Sequence, residues 1–176
     1  MVMRMFCSLF VFSAIIPLCS GCRPNTKDVK ENELIRKFFR TPDSQQQIQE
    51  FRKKNLDEKY DLYLWGCQVI HPPALYLARP FAEEGPTVVP FLEKKLESAK
   101  DEDTVRDIAL VLSYVAELKR YDFSKNPQLM ELLERRAHAM QGMWKAKTLE
   151  FIFRIRRATK AESGRGDNTR SQPREK

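Results

Sequence analysis

Hydrophobic residues recur at helical spacing over most of the chain, from residue 28 to residue 157. No run in this region alternates strictly between apolar and polar residues, and only three glycines interrupt it. Apolar positions at i, i+3, i+4 and i+7 form one face of an α-helix, whereas strict alternation is typical of a half-buried strand. The pattern therefore predicts an all-α domain over residues 28–157.

Cap residues and prolines indicate where the helices of this domain begin and end. Thr41-Pro42 and Asn126-Pro127 each combine an N-cap residue with a proline at the first helical position. Asp57 is a further candidate N-cap. His71-Pro72-Pro73 predicts a turn, because a residue before proline avoids the α region. The predicted helices cover residues 28–39, 42–55, 57–69, 74–84, 86–98, 101–118, 127–140 and 144–157.

The segment from Asp101 to Leu118 is apolar on more than one side. Its main stripe at helical spacing consists of Val105, Ile108, Ala109, Leu112, Val115 and Ala116. Leu110 and Val111 lie off that stripe. A helix with apolar residues on two sides must be covered on both, so we expect this helix to be central and buried. The acidic run at residues 101–103 is predicted to be its N-cap and first turn, where the helix dipole favours anions.

Consecutive predicted helices fall into antiparallel pairs, and the middle pair carries a recognisable motif. The pairs cover residues 57–84, 86–119 and 127–157. The middle pair is similar to a HEAT repeat, a family with a proline in its first helix and Asp-x-Val-Arg-x-x-Ala at the start of its second. The matching residues are Pro90, Asp103, Val105, Arg106 and Ala109. The resemblance implies a short α–α solenoid in which the Asp and Arg positions make structural bonds, and a less regular helical bundle is the alternative.

The first 22 residues have the character of an export signal rather than of the helical domain. Met5 to Leu18 is apolar except for two serines, which matches the core of a signal peptide and falls short of the roughly 20 apolar residues of a membrane span. Ser20 and Gly21 then precede Cys22. This arrangement resembles the lipobox of bacterial lipoproteins, with Cys19 at the position where that family usually has leucine or another aliphatic residue.

The resemblance to lipoproteins implies that residues 1–21 are removed, that Cys22 carries lipid, and that residues 22–27 form a tether to the membrane. By resemblance to enteric lipoproteins, Arg23 rather than aspartate after the cysteine implies an outer-membrane location facing the periplasm. An ordinary cleaved signal peptide and an uncleaved N-terminal anchor are the alternatives. Once Cys22 is lipidated, Cys67 has no cysteine partner, so we expect it to be a small buried residue.

Positive charge is concentrated at the C-terminal end of the chain. The formal net charge is +7, and residues 154–176 hold eight basic residues against three acidic ones. No large apolar residue follows Ala158, so residues 158–176 are predicted to be a disordered basic tail. The candidates for binding an anionic lipid, polysaccharide or protein are Arg154, Arg156, Arg157 and Lys160. Nucleic acid is not an expected partner, because the predicted signal directs the protein out of the cytoplasm.

No recognised catalytic or metal-binding motif occurs in the sequence. The two histidines, His71 and His138, lie in different predicted helix pairs, and no spacing of histidine and cysteine suggests a metal site. Nucleophile elbows and glycine-rich phosphate loops are also missing. We therefore expect no catalytic residues, no metal and no cofactor, and a protein that is not an enzyme.

Residues 60–76 are the richest part of the chain in tryptophan and tyrosine. Such side chains either fill the core between two helices or form the hot spots of a protein interface. The candidate partner-binding residues in this stretch are Tyr63, Trp65 and Tyr76.

Together these features predict an envelope-anchored, non-enzymatic adaptor or inhibitor that binds an envelope protein through its helical surface. One alternative is a surface or envelope-structure protein that binds anionic polymer or lipid through the basic tail. A further alternative is an immunity-type lipoprotein that neutralises a periplasmic toxin.

Overall fold

In the computed structural model, the described residues are 26–163, with side chains from residue 33 to residue 160. They form eight α-helices and no strand, which confirms the all-α prediction for this part of the chain. The helices are α1 (Thr26–Arg40), α2 (Ser44–Arg52), α3 (Leu56–Gln68), α4 (Ala78–Ala82), α5 (Val88–Ser98), α6 (Glu102–Glu117), α7 (Pro127–Ala139) and α8 (Lys145–Ser163). The predicted signal peptide, Cys22 and the tail beyond residue 163 lie outside the described residues.

Two of the predicted N-caps are wrong by two residues. The N-cap of α2 is Asp43 rather than Thr41, because the Asp43 carboxylate accepts a hydrogen bond from the Gln45 amide at 2.9 Å. The N-cap of α3 is Asn55 rather than Asp57. Asn55 and Glu58 form a capping box in which each side chain accepts a hydrogen bond from the other residue's backbone amide, at 2.9 and 3.2 Å.

The other two predicted helix starts are confirmed. The Asp101 carboxylate accepts from the Thr104 amide at 2.7 Å and so caps α6. Asn126 accepts from the Leu129 amide at 3.0 Å and caps α7, with Pro127 at the first helical position.

Several helices differ in length from their predictions, and α2 ends at Arg52 rather than at residue 55. The segment predicted as one helix over residues 74–84 is a 3₁₀ turn (Leu75–Leu77) followed by the short α4, and it ends before Gly85, whose φ is 65°. Helix α8 continues to Ser163 instead of ending at Arg157, so residues 158–163 of the predicted disordered tail are helical. Ala158 extends α8 because it packs against the core, and the Thr159 hydroxyl donates to the Ile155 carbonyl at 3.0 Å.

The helices pack around α6. Helix α6 packs most extensively against α8 and α4. Helix α5 contacts both α6 and α7, and α7 contacts α8. This arrangement is consistent with a short α–α solenoid or with a helical bundle.

One continuous apolar core runs through the described residues, and α6 contributes to it on every side. Ile108, Val111 and Leu112 are fully buried. Three aromatic rings extend the core towards α2 and α4, with ring centroids 5.9 Å apart for Phe51 and Phe81 and 6.0 Å apart for Tyr63 and Phe81. The prediction that the helix beginning at Asp101 is central is confirmed.

Candidate functional site

A cleft of about 320 Å³ lies over α6, between the end of α3 and the start of α8. Its α3 bank includes Gln68, His71, Pro73 and Leu75. Its α8 bank consists of Trp144, Lys147 and Phe151. Arg106 and Leu110 form the floor. Clefts of this size with mostly apolar walls and a few polar groups are the usual form of a binding site.

The α3 bank is held in place by a close approach at Gly66. The Gly66 carbonyl accepts a hydrogen bond from the Ala74 amide at 2.8 Å, which folds the loop after α3 back against the helix. A Cβ atom at position 66 would lie 2.8 Å from the Ala74 Cβ atom and 2.9 Å from the Phe39 ring. The loop therefore packs this closely only because residue 66 is glycine.

The α8 bank is held by the Glu102 carboxylate in the first turn of α6. Its two oxygens accept hydrogen bonds from the backbone amides of Gln141 and Gly142, at 2.6 and 2.9 Å. A Cβ atom at position 142 would lie 2.4 Å from Glu102 Oε2. This clasp fixes the loop between α7 and α8, and with it the position of Trp144 at the edge of the cleft.

Arg106 is the polar centre of the floor. Its Nη1 atom donates to Asp103 at 2.8 Å, and its Nε atom donates to Asp107 at 2.8 Å. The guanidinium also stacks on Trp144, with its central carbon 4.3 Å from the ring centroid. Only 11% of the Arg106 side chain is exposed, so these partners take up most of its surface.

Asp107 lies directly below Arg106 and is completely buried. Its Oδ2 atom accepts from Gln68 Nε2 at 3.2 Å, and its backbone carbonyl accepts from the Tyr63 hydroxyl at 3.0 Å. Burial raises the pKa of Asp107 to about 6, although Arg106 and Gln68 favour the ionised form. A buried carboxyl group with a raised pKa therefore lies beneath the floor of the cleft, bonded to two of the residues that line it, Arg106 and Gln68.

Cys67 also touches the cleft but has the properties of a core residue. It is buried, as predicted. Burial raises the pKa of its thiol to about 12, and the nearby Asp107 charge acts in the same direction. Since the thiolate is the reactive form, Cys67 is protonated and inert at neutral pH.

Two of the exposed large apolar side chains line the cleft. Leu75 and Trp144, exposed by 48% and 37%, stand on opposite banks. Three more lie close in sequence to these banks, namely Val69, Tyr76 and Met143. Phe153, farther along α8, is 65% exposed. An apolar surface of this kind is typical of a place where a partner binds.

The candidate partner-binding residues occupy three different environments. Tyr63 is 1% exposed and belongs to the core rather than to a binding surface. Trp65 is partly buried and packs against the core. Tyr76 is 38% exposed, and its hydroxyl donates to the Gln47 side chain. None of the three lines the cleft.

The candidate anion-binding residues on α8 also occupy different environments. Arg154 pairs with Glu150 at 2.5 Å and with Glu117 at 3.7 Å, and Arg156 pairs with Glu134. Arg157 and Lys160 are exposed. Arg156 and Lys160 also line a second, more open cleft of about 380 Å³ against α7, which contains Glu131 and Glu134. Acidic side chains therefore interrupt the basic surface of α8.

Two further observations concern metals and membranes. Within residues 33–160, no cluster of three or more histidine, cysteine or acidic side chains is placed to hold a metal ion. None of the helices in the described part of the chain is both long enough and apolar enough to cross a membrane. His71 and His138 are both exposed.

The chain matches no protein-family model, no curated protein and no solved structure at a significant level. What the cleft does must therefore follow from its own shape and chemistry. Its half-exposed large apolar side chains, Leu75 and Trp144, come from different helix pairs and meet only in the folded protein. The sequence offered a signal for only one of these two cleft residues. Leu75 belongs to the aromatic stretch, whereas Trp144 stands alone after Gly142.

Proposed function

We propose that this protein is a non-enzymatic adaptor or inhibitor, anchored in the cell envelope, that binds a partner protein through the cleft over α6. The observation that supports the proposal is the pair of half-exposed apolar side chains on opposite banks, Leu75 and Trp144. Binding removes such surface from water and is favoured by about 25 cal/mol for each Å² of apolar area buried.

The charges of the cleft indicate what kind of segment it binds. Arg106 is already paired with Asp103 and Asp107, and Lys147 pairs with Glu150 at 2.7 Å. No large unbalanced charge is left to attract an ionised group. The inserted part of the partner is therefore apolar and uncharged, as on the hydrophobic face of an amphipathic helix.

The proposed anchor is a lipid on Cys22. Its support is the motif Ser20-Gly21-Cys22 at the end of the apolar stretch from Met5 to Leu18. Two or more acyl chains, at about 0.8 kcal/mol per buried CH₂ group, hold a protein stably on a membrane. A Cys22→Ser variant should be released from the membrane or left unprocessed. A variant that stays with the membrane at the mature size would contradict the tether.

Affinity capture from envelope extracts tests the cleft itself. Leu75→Asp places a charge on the α3 bank at a half-exposed position and should abolish capture of the partner. Phe153→Asp is the matched control, because it removes an even more exposed apolar side chain from a site that does not line the cleft. Equal capture by both variants, or equal loss, would contradict the proposed site.

A second candidate function, binding of anionic polymer or lipid, is supported by the exposed side chains of Arg157 and Lys160 on the last turns of α8. Because α8 continues to Ser163, the proper test removes residues 164–176 and replaces these two side chains by glutamine, without cutting the helix. Loss of salt-sensitive binding to anionic vesicles would support this candidate.

In the immunity-type variant of the first proposal, the captured partner would be a toxin or lytic enzyme.

A further inference from the structure

Asp107 is the point at which the two banks of the cleft are connected through its floor. Its Oδ2 atom accepts a hydrogen bond from Gln68, which belongs to the α3 bank, at 3.2 Å. Its Oδ1 atom accepts from Arg106, at 2.8 Å from Nε and 2.7 Å from Nη2. The same guanidinium stacks on Trp144 of the α8 bank. The buried carboxylate is thus bonded directly to the α3 bank through Gln68 and indirectly to the α8 bank through Arg106.

We propose that ionised Asp107 ties the two banks together and that its protonation loosens both ties, so that pH regulates access to the cleft. The inference deepens the proposed binding function and rests on it for its biological meaning. The structural change itself requires no partner.

The chemistry of protonation explains why both ties weaken. A proton from solvent that binds at Oδ2 occupies the position where the Gln68 amide now donates, so this amide must turn and offer its oxygen as acceptor. Oδ1 then accepts from Arg106 as part of a neutral group. The guanidinium keeps a hydrogen bond to this neutral acceptor but loses the attraction between opposite charges, which is strong at a buried site, so the hold on it falls. Arg106 keeps its bond to Asp103 but is freer to leave the Trp144 ring.

The surroundings of Asp107 place this change near neutral pH. The charged neighbours on its own helix are Arg106 and Asp103, and burial outweighs the stabilising effect of Arg106 and Gln68, so that the pKa of Asp107 is raised to about 6. The titratable groups that α3 places around it are Tyr60, Tyr63 and Cys67, all of which have pKa values raised by burial. Above the floor, the walls of the cleft contribute His71 and Lys147.

The fluorescence of Trp144 reports the predicted movement. The chain has two tryptophans, so a Trp65→Phe variant of the full chain, kept in detergent, has Trp144 as its single fluorophore. Quenching by acrylamide should increase as the pH falls through about 6, because the ring loses its cover. An additional Asp107→Asn change should give strong quenching at every pH and no transition, since asparagine imitates the protonated form.

The control is His71→Asn, because histidine is the side chain that ordinarily changes charge between about pH 5 and 8. The transition should persist in this variant. A transition that survives Asp107→Asn, or disappears with His71→Asn, would overturn the proposal, as would quenching that does not change with pH.

If Asp107→Asn does not fold, judged by circular dichroism, carbon-13 NMR of the wild-type chain decides the question. The side-chain carboxyl signal of Asp107 and the indole signal of Trp144 must then titrate with one common midpoint, and different midpoints would overturn the proposal. The outcome is separable from that of the binding function. If partner capture does not depend on Leu75 while the Trp144 transition is present, the binding proposal fails and the pH-dependent tie stands.

Discussion

The guanidinium of Arg106 lies over the indole ring of Trp144, with 4.3 Å between its central carbon and the ring centroid. Arg106 belongs to α6, and Trp144 immediately precedes α8, so the contact joins two successive helix pairs. The same guanidinium pairs with Asp103 and with the buried Asp107. The Arg106 side chain therefore connects the buried Asp107 to the α8 bank of the cleft.

Removing the Arg106 side chain should destabilise the protein strongly. Arg106→Ala leaves the Asp107 carboxylate buried without its ionic partner, and breaking a buried pair from one side costs about 3 kcal/mol or more. Urea unfolding at neutral pH measures this loss. Arg79→Ala, an exposed arginine on α4, is the control and should change the free energy of unfolding by less than about 0.5 kcal/mol. Similar small changes in both variants would show that the Arg106 network is not a stabilising one.

The clasp between Glu102 and Gly142 should appear as an energetic coupling. In Gly142→Ala the new methyl group would lie 2.4 Å from Glu102 Oε2, so the carboxylate must swing away and lose its two backbone partners. We expect a loss of about 1 kcal/mol, typical of such hydrogen bonds. In a Glu102→Ala background the same glycine substitution should have little effect. A double-mutant cycle by urea unfolding gives the coupling, and additive effects would contradict the clasp.

The stability of the protein should carry the signature of the buried Asp107. The pKa of Asp107 is raised from 3.8 to about 6, so between these values the folded state binds a proton that the unfolded state has lost. The contribution of Asp107 to the free energy of unfolding therefore falls as the pH rises through this window. The free-energy cost of burying the ionised Asp107 carboxylate is fully present above about pH 6 and absent below 3.8. At 1.36 kcal/mol per pKa unit it amounts to about 3 kcal/mol.

Comparison with Asp107→Asn isolates this effect from all other titrating groups. Relative to the variant, the wild-type chain should lose stability as the pH rises from 3.8 to about 6 and show no further difference above it. Unfolding curves in urea across this range measure the difference. Parallel pH profiles for the two proteins would show that Asp107 is ionised at the same pH in the folded and unfolded states.

Cys67 should resist alkylation as long as the protein is folded. Burial raises the pKa of its thiol to about 12, so almost none of the reactive thiolate is present at neutral pH. Mass spectrometry of the peptide that contains Cys67 should show slow labelling by iodoacetamide in native protein and rapid labelling in urea. Rapid labelling without denaturant would mean that the end of α3 opens in the native state.

The local features of the fold could be predicted because they depend on residues close together in the chain. The all-α character, the central α6 and the caps at Asp101 and Asn126 are of this kind. The caps predicted for α2 and α3 are wrong, because several cap-forming residues lie close together and the side chains that reach the free amides are those of Asp43 and Asn55. The structural role predicted for Asp103 and Arg106 agrees with their ion pair, and the HEAT resemblance stays a prediction.

The cleft could not be predicted, because it forms only when distant parts of the chain meet. Gln68, Arg106 and Trp144 come from three helix pairs, and no spacing in the sequence connects them. The aromatic stretch ends beside the cleft, but its candidate binding residues Tyr63, Trp65 and Tyr76 do not line it. Tyr63 fills the core, whereas Leu75, near the end of the stretch, lines the cleft. The lipid anchor at Cys22 stays a prediction that depends on its short motif alone.

Site-specific photo-crosslinking in intact cells tests the central claim most directly. A photoreactive residue placed at position 75, on the α3 bank, should form a crosslink to one discrete envelope protein. The same residue at position 153, which is exposed on α8 outside the cleft, should form none to that protein. Crosslinks from position 153 with none from position 75 would contradict a binding site in the cleft.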